Sequence, residues 1–300
     1  MKNLIVAMAL IALAQTGLAA GAIEERAPLE KGATLEVVNV SGSVEITGWR
    51  RNEIEVLGEL GEEAEELIFE ADSGRALVKV EHKNRDDRKE RRYGASGTRL
   101  VIKVPHETVL NIRSVSANVT VQEINGNQRI RAVSGSINTG LRGEEAELRT
   151  VSGDIVATGH GKVEEVELYS VSGDIKVTGL AGDVSAEAVS GDLDLSGSGL
   201  RQVRLKTVSG DIGAELGLAK NARVHMQSVS GDIEGRLPGN YEAEYELTSH
   251  SGDIAGLFGN EAKRKSKYSP GQELIFTNGN SKARVRANTL SGDIELVPDL

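Results

Sequence analysis

The tetrapeptide Val-Ser-Gly-Asp recurs along this chain, and the recurrence limits the possible folds more than any other feature. It stands at Val151–Asp154, Val171–Asp174, Val189–Asp192, Val208–Asp211 and Val229–Asp232. Variants occur at His250–Asp253 and Leu290–Asp293. Val133–Ser136 and Val40–Ser43 end in Ser, and Val115–Asn118 reads Val-Ser-Ala-Asn. On the glycine position the marks fall at 117 (an alanine), 135, 153, 173, 191, 210, 231 and 252, in steps of 18 to 21 residues. The last step, Gly252 to Gly292, is 40 residues, about two units.

The flanking residues repeat too. Seven before each glycine stand Ala146, Val166, Val184, Val203 and Val224; five before stand Leu148, Leu168, Ala186, Leu205 and Met226. Three before stand Thr150, Ser170, Ala188, Thr207 and Ser228. These positions alternate, so they share one face of a strand. The apolar phase then slips by one: the motif valine lies two before the glycine, and Ile155, Ile175, Leu193, Ile212 and Ile233 lie two after it. A one-residue slip flips a strand's faces. Keeping both sets inward, the valines included, requires a bend. Each unit therefore reads as strand, corner, strand, loop.

A β-solenoid and a meander of antiparallel hairpins both accommodate such a unit. Near-constant spacing, the same residue type at the same position, and units too short to bury a core alone favour the solenoid. The expected fold is all-β: a single-chain parallel β-solenoid of about 18–21 residues per coil, with a less regular N-terminal β cap.

The corner glycines (Gly135, Gly153, Gly173, Gly191, Gly210, Gly231, Gly252 and Gly292) are expected to be structural turns, supplying a positive φ or a crowded position. Serine and aspartate beside them hydrogen-bond turn amides. A second reading is a calcium ladder. Asp154, Asp174, Asp192, Asp211, Asp232 and Asp253 would form a column of like charges about 5 Å apart, which something must compensate. A third is acid–base catalysis on polysaccharide, which needs one coil to differ from the rest. No coil does.

Residues 1–22 read as a signal peptide: Lys2, an apolar run from Leu4 to Ala14, then small residues at Ala19 to Ala22. No stretch is long enough to span a membrane. Residues 23–113 form the cap, with strands expected at Leu35–Val38, Val44–Thr47, Ile54–Leu57, Ala76–Glu81, Arg99–Val104 and Val109–Ile112. A short helix is a candidate at Glu62–Phe69. Residues 114–300 form the repeats, with an insertion near 259–282 that carries the basic cluster Lys263–Lys267. The charged run Arg85–Arg92 reads as a solvated loop or a docking site.

The net charge of −10 argues against nucleic acid and anionic membrane surfaces. With no cysteine, thiol catalysis, disulfides and iron–sulfur clusters are excluded. Aromatic residues make up 3%, too few for a stacking platform. His82, His106, His160, His225 and His250 share no metal-ligand spacing, and no Gly-x-Ser-x-Gly elbow occurs. No catalytic residue, resident metal or cofactor is expected.

The leader, the strand-rich opening and the Val-Ser-Gly-Asp-Ile series resemble a family of exported bacterial β-strand-repeat proteins labelled "putative adhesin", a domain of unknown function. The likeness covers roughly residues 33–297 and implies right-handed coils. It implies an envelope structural or adhesin-like interaction protein of the periplasm or cell surface. The expected partner is a protein or an envelope polysaccharide, held on a long regular sheet face. An enzyme acting on polysaccharide and a periplasmic sensor or scaffold are the alternatives.

Overall fold

The computed structural model describes residues 22–82, 96–161, 163–265 and 270–299. The leader up to residue 21, the run Arg85–Arg92, and residues 266 and 267 of the basic cluster lie outside the described residues. All regular structure among the described residues is β. The opening strands are β1 (Ala22–Pro28), β2 (Thr34–Trp49), β3 (Glu53–Glu59), β4 (Ala64–Ala71), β5 (Arg75–His82) and β6 (Thr98–Pro105). The middle begins with β7 (Val109–Gln122), β8 (Gln128–Arg131), β9 (Ile137–Leu141), β10 (Glu145–Thr150) and β11 (Ile155–Gly159). It continues through β12 (Glu165–Ser170), β13 (Ile175–Ala188), β14 (Leu193–Lys206), β15 (Ile212–Ser230) and β16 (Ile233–Leu237). The chain closes with β17 (Ala243–Ser251), β18 (Lys263–Arg264), β19 (Gln272–Asn278), β20 (Arg284–Ser291) and β21 (Ile294–Pro298).

Successive coils stack in parallel register, with like residues on like. On the face preceding each corner, Val166, Val184, Val203, Val224 and Val285 are directly paired in turn. On the face following it, Ile137, Ile155, Ile175, Leu193, Ile212, Ile233 and Ile294 pair in turn. All of these side chains are buried, and the core runs unbroken along the stack. Burying each stabilises by about 1.5–3 kcal/mol, but only once a neighbouring coil covers it.

Two sequence expectations are corrected. Glu62–Phe69 is not a helix: β4 occupies Ala64–Ala71 and pairs antiparallel with β5. Its alternating Leu67 and Phe69 pack against the core, and tertiary pairing overrides the acid-rich start. The motif valines are not inward. Val115, Val133, Val151, Val189, Val208 and Val229 are exposed at 37 to 46%. The bend already places residues three before and two after the glycine in the core, so the residue between must point out.

The spatial order of coils departs from chain order at both ends. β2 lies between β7 on one side and β5 with β6 on the other. β20 lies between β15 and β17. The chain thus enters the stack one coil in from one end and leaves it one coil in from the other. Antiparallel strands close the ends: β4 on β5, and β3 with β1 on β6, at the first; β19 on β17 at the last. At the last end Tyr245 is fully buried. It stacks on Phe276 at 4.8 Å and meets Phe258 edge-on at 5.7 Å.

Candidate functional site

The corner is built from one backbone contact and two side-chain ladders. A Cβ on any of the eight corner glycines would lie closer than 3.0 Å to the carbonyl oxygen of the corner residue in the adjacent coil. That oxygen is backbone and cannot give way. Close approach of coils demands glycine at all eight corners, and Gly231 and Gly292 add a positive φ of 155°.

At several corners the hydroxyl three residues before the glycine donates to that same row of carbonyls, although Ser170 Oγ finds no partner and Ala188 has no hydroxyl. Thr207 Oγ1 donates to Gly191 O at 3.1 Å, Ser228 Oγ to Gly210 O at 3.2 Å, and Ser249 Oγ to Gly292 O at 2.8 Å.

The aspartates form the second ladder. Each Asp N–H donates to Oδ1 of the aspartate in the preceding coil: Asp174 to Asp154 at 3.0 Å, Asp192 to Asp174 at 2.9 Å, Asp211 to Asp192 at 2.8 Å and Asp232 to Asp211 at 2.8 Å. Asn118 does the same for Ser136 N–H at 3.1 Å. At the far end Gln272 substitutes for a further coil. Its Nε2 donates to Asp253 Oδ1 at 2.5 Å and its Oε1 accepts from Ile254 N–H at 3.0 Å. The carboxylates of the expected calcium column thus each spend one oxygen on an amide N–H, a backbone one for Asp154, Asp174, Asp192, Asp211 and Asp232 and the Gln272 side chain for Asp253. These bonds offset part of the charge their spacing crowds together. Among the described residues no group of three or more His, Cys, Asp or Glu is placed to hold a metal ion.

Outside these ladders lies the row of motif valines. Val115, Val133, Val151, Val171, Val189, Val208, Val229 and Leu290 follow one another coil by coil, and His250 ends the row. At about 4.8 Å per step the eight aliphatic residues span roughly 34 Å. Exposed serine and aspartate columns flank it. Sequence reasoning found these residues but assigned them to the core. An apolar residue at a corner carries the same signal whether it points in or out.

The two sheet faces differ in charge pairing. The face preceding the corner is laced by ion pairs between coils. Glu36 holds Arg75 at 2.9 Å and also Arg113. Glu147 meets Arg129 at 2.7 Å, Arg131 at 2.9 Å and Arg149 at 2.7 Å. The hydrogen bond from Arg131 leads in holding the Glu147 carboxyl down at about 2, against the opposing effect of burial. Near the first end Lys103 and Arg26 hold the buried Glu55 below the usual carboxylate range. On the face following the corner, a shallow groove of 620 Å3 is lined by Lys176, Asp194, Glu215, Glu234 and Arg236 among others. Its carboxylates recur one per coil, which singles out no acid–base pair.

The histidines are scattered. His106 Nδ1 lies 2.7 Å from Glu123 O. His225 sits in register between Arg204 and Arg286, and burial pushes its imidazole down. No helix among the described residues is long and apolar enough to cross a membrane.

The model of one family, described as Toastrack DUF4097, matches residues 32–297. No curated protein matches. Three solved structures match this chain over most of its length. A "putative lipid binding protein" from Parabacteroides distasonis is 12% identical, with 94% of this chain and 98% of that one covered and a TM-score of 0.51. A "putative adhesin" from Bacteroides fragilis is 10% identical, with coverage of 93% and 98% and a TM-score of 0.41. A "putative cell adhesion protein" from Clostridium sporogenes is 13% identical, with coverage of 93% and 100% and a TM-score of 0.23.

Proposed function

The chain belongs to the Toastrack DUF4097 family, and from that premise we propose that it is an exported, non-enzymatic binding module that holds its partner along the corner ridge. One observation carries the reading: eight consecutive coils present an aliphatic side chain at the corner, seven of them 37 to 52% exposed. Single exposed valines are ordinary, but a contiguous apolar row on a folded surface marks an interaction site. The sheet face preceding the corner is a poorer candidate, because its charges already satisfy one another across coils. Right-handed coils and a place in the envelope are part of the same proposal. The ridge, bordered by a carboxylate column, suits an extended polymer or protein segment better than an anionic lipid surface.

The test compares the chain with a Val151→Thr/Val189→Thr/Val208→Thr variant for binding to peptidoglycan, envelope polysaccharide and phospholipid vesicles. The expected result is binding to one polymer class, weakened about tenfold or more in the variant at an unchanged melting temperature. Equal binding by both chains removes the ridge from the reading. Hydrolysis of a bound polysaccharide removes the non-enzymatic assignment. Binding to vesicles alone moves the partner to lipid.

A further inference from the structure

The two ends of the stack carry the same tetrapeptide in the same structural place. Glu66-Leu67-Ile68-Phe69 lies in β4 and Glu273-Leu274-Ile275-Phe276 lies in β19. β4 is the antiparallel neighbour of β5, and β19 that of β17, at opposite ends of one sheet face. Cross-strand register gives the two copies the same orientation. Leu67 faces Val80, Phe69 faces Val78 and Ile68 faces Lys79. Leu274 faces Leu247, Phe276 faces Tyr245 and Ile275 faces Glu246. In each, Leu and Phe close the core while Ile stands on the outer surface, where Ile275 is 62% exposed. From β5 through to β17 that face is parallel, so β4 and β19 run in the same direction.

Both strands leave an edge open. Among the described residues β4 pairs only with β5, and β18 covers β19 only at Gln272 and Glu273. An open edge presents unpaired backbone donors and acceptors to another strand. Among the described residues the segments beside the two edges differ in charge: Glu62, Glu63, Glu65, Glu66 and Glu70 are exposed at the first, and Lys263, Arg264 and Lys265, next to Glu261, at the second. Their profiles also interlock. The first end runs further on the face following the corner, through β3 and β1. The last end runs further on the opposite face, through β19 and β18, while its other side stops at the bridge between Ile254 and Ile294.

We propose that copies of this chain associate head to tail, the β4 edge of one meeting the β19 edge of the next. Stacked in one orientation, the two edge strands become parallel neighbours. Leu67, Ile68 and Phe69 then lie against Leu274, Ile275 and Phe276 in register, as like residues do throughout each copy. The contact is heterologous and does not close, so it builds chains of copies rather than a dimer. A two-fold β4–β4 contact would run the two strands antiparallel and could not stack like residues on like along the strand. One strand edge is a small interface, and the association is correspondingly weak. It is separate from the corner ridge.

Sedimentation velocity of the folded chain tests this, from about 5 to about 300 μM protein. The expected result is growth beyond dimer as concentration rises, reduced in about 0.5 M NaCl, where screening is short-ranged. Two charge-swap variants identify the surfaces: Glu65→Lys/Glu66→Lys/Glu70→Lys, and Lys263→Glu/Arg264→Glu/Lys265→Glu. Each alone carries like charge at both ends and stays monomeric. Mixed one to one they present complementary ends and associate again. All exchanged residues are exposed, and circular dichroism checks that each variant keeps its fold. A wild type that is monomeric throughout, growth that stops at dimer, or a mixture no larger than its components overturns the proposal.

Discussion

The backbone N–H of Asp293 donates to Oδ1 of Asp232 at 2.7 Å, although 61 residues separate them. Asp253 then donates to Oδ1 of Asp293, also at 2.7 Å. The aspartate ladder therefore records the spatial order of the coils, in which the last coil in sequence is the last but one in space.

That order makes the C-terminal residues internal. Deleting residues 283–300 removes β20 and β21 from between two coils and leaves β17, with β19 on its other side, without its parallel neighbour. We expect chymotrypsin to cut rapidly at Tyr245, Leu247 and Leu257, all buried in the intact chain, once residues 283–300 are deleted, and slowly in the intact chain, read by mass spectrometry. Equal protection of those residues would contradict the ordering.

The corner glycines are fixed by close approach to a backbone oxygen. Gly173→Ala should destabilise by about 2–4 kcal/mol, because neither the new Cβ nor the carbonyl of Gly153 can move without separating coils. Gly74, exposed in a turn with only Asp72 near its Cβ position, is the control, and Gly74→Ala should fall within about 0.5 kcal/mol of wild type. Equal effects in urea titrations would show that crowding does not set the corner.

The aspartates act as acceptors. Asp192→Asn keeps an acceptor oxygen in place, as Asn118 already does for Ser136, and should leave the melting temperature nearly unchanged. Asp192→Ala leaves the Asp211 amide unpaired and should cost about 1 kcal/mol. Melts in EDTA and in millimolar calcium are expected to coincide, and a rise in midpoint with calcium that Asp192→Asn abolishes would restore the metal ladder.

Glu147 links stability to pH. Its folded-state pKa of about 2 lies below the ordinary 4.5, so its contribution is full above the ordinary value and is lost as pH falls through about 2. Glu147→Gln should cost on the order of 1 kcal/mol at pH 7, a modest figure because the arginines are half exposed. The gap between wild type and variant should close between pH 5 and pH 2. A gap that persists at pH 2 would assign the loss to packing rather than charge.

Much of the fold is legible in the residues themselves. The core triplets such as Val166, Leu168 and Ser170, and the isoleucines after each corner, repeat because stacked coils give equivalent positions equivalent neighbours. The strands at Leu35–Val38, Ile54–Leu57 and Ala76–Glu81 were readable from alternation alone. The candidate surface was harder to see. Val151 and Val208 lie in the same local pattern as buried valines, and only the bend of the corner decides that they point outward. β4 carries an acid-rich start that suits a helix, and only its pairing with β5 makes it a strand.

The sequence by itself determined the unit: which residues bury, where the chain bends, and how many residues return it to the next level. Those follow from side-chain chemistry and spacing within some twenty residues. The tertiary structure decided which unit lies beside which. Every coil offers nearly the same edge of amides, carbonyls and aspartates, so β15 could have accepted β17 as readily as β20. That choice rests on the whole end of the stack closing at once: Tyr245 stacks on Phe276, Gln272 satisfies the last aspartate, and β19 covers the final strand. These contacts join residues far apart in the chain, and no local pattern encodes them.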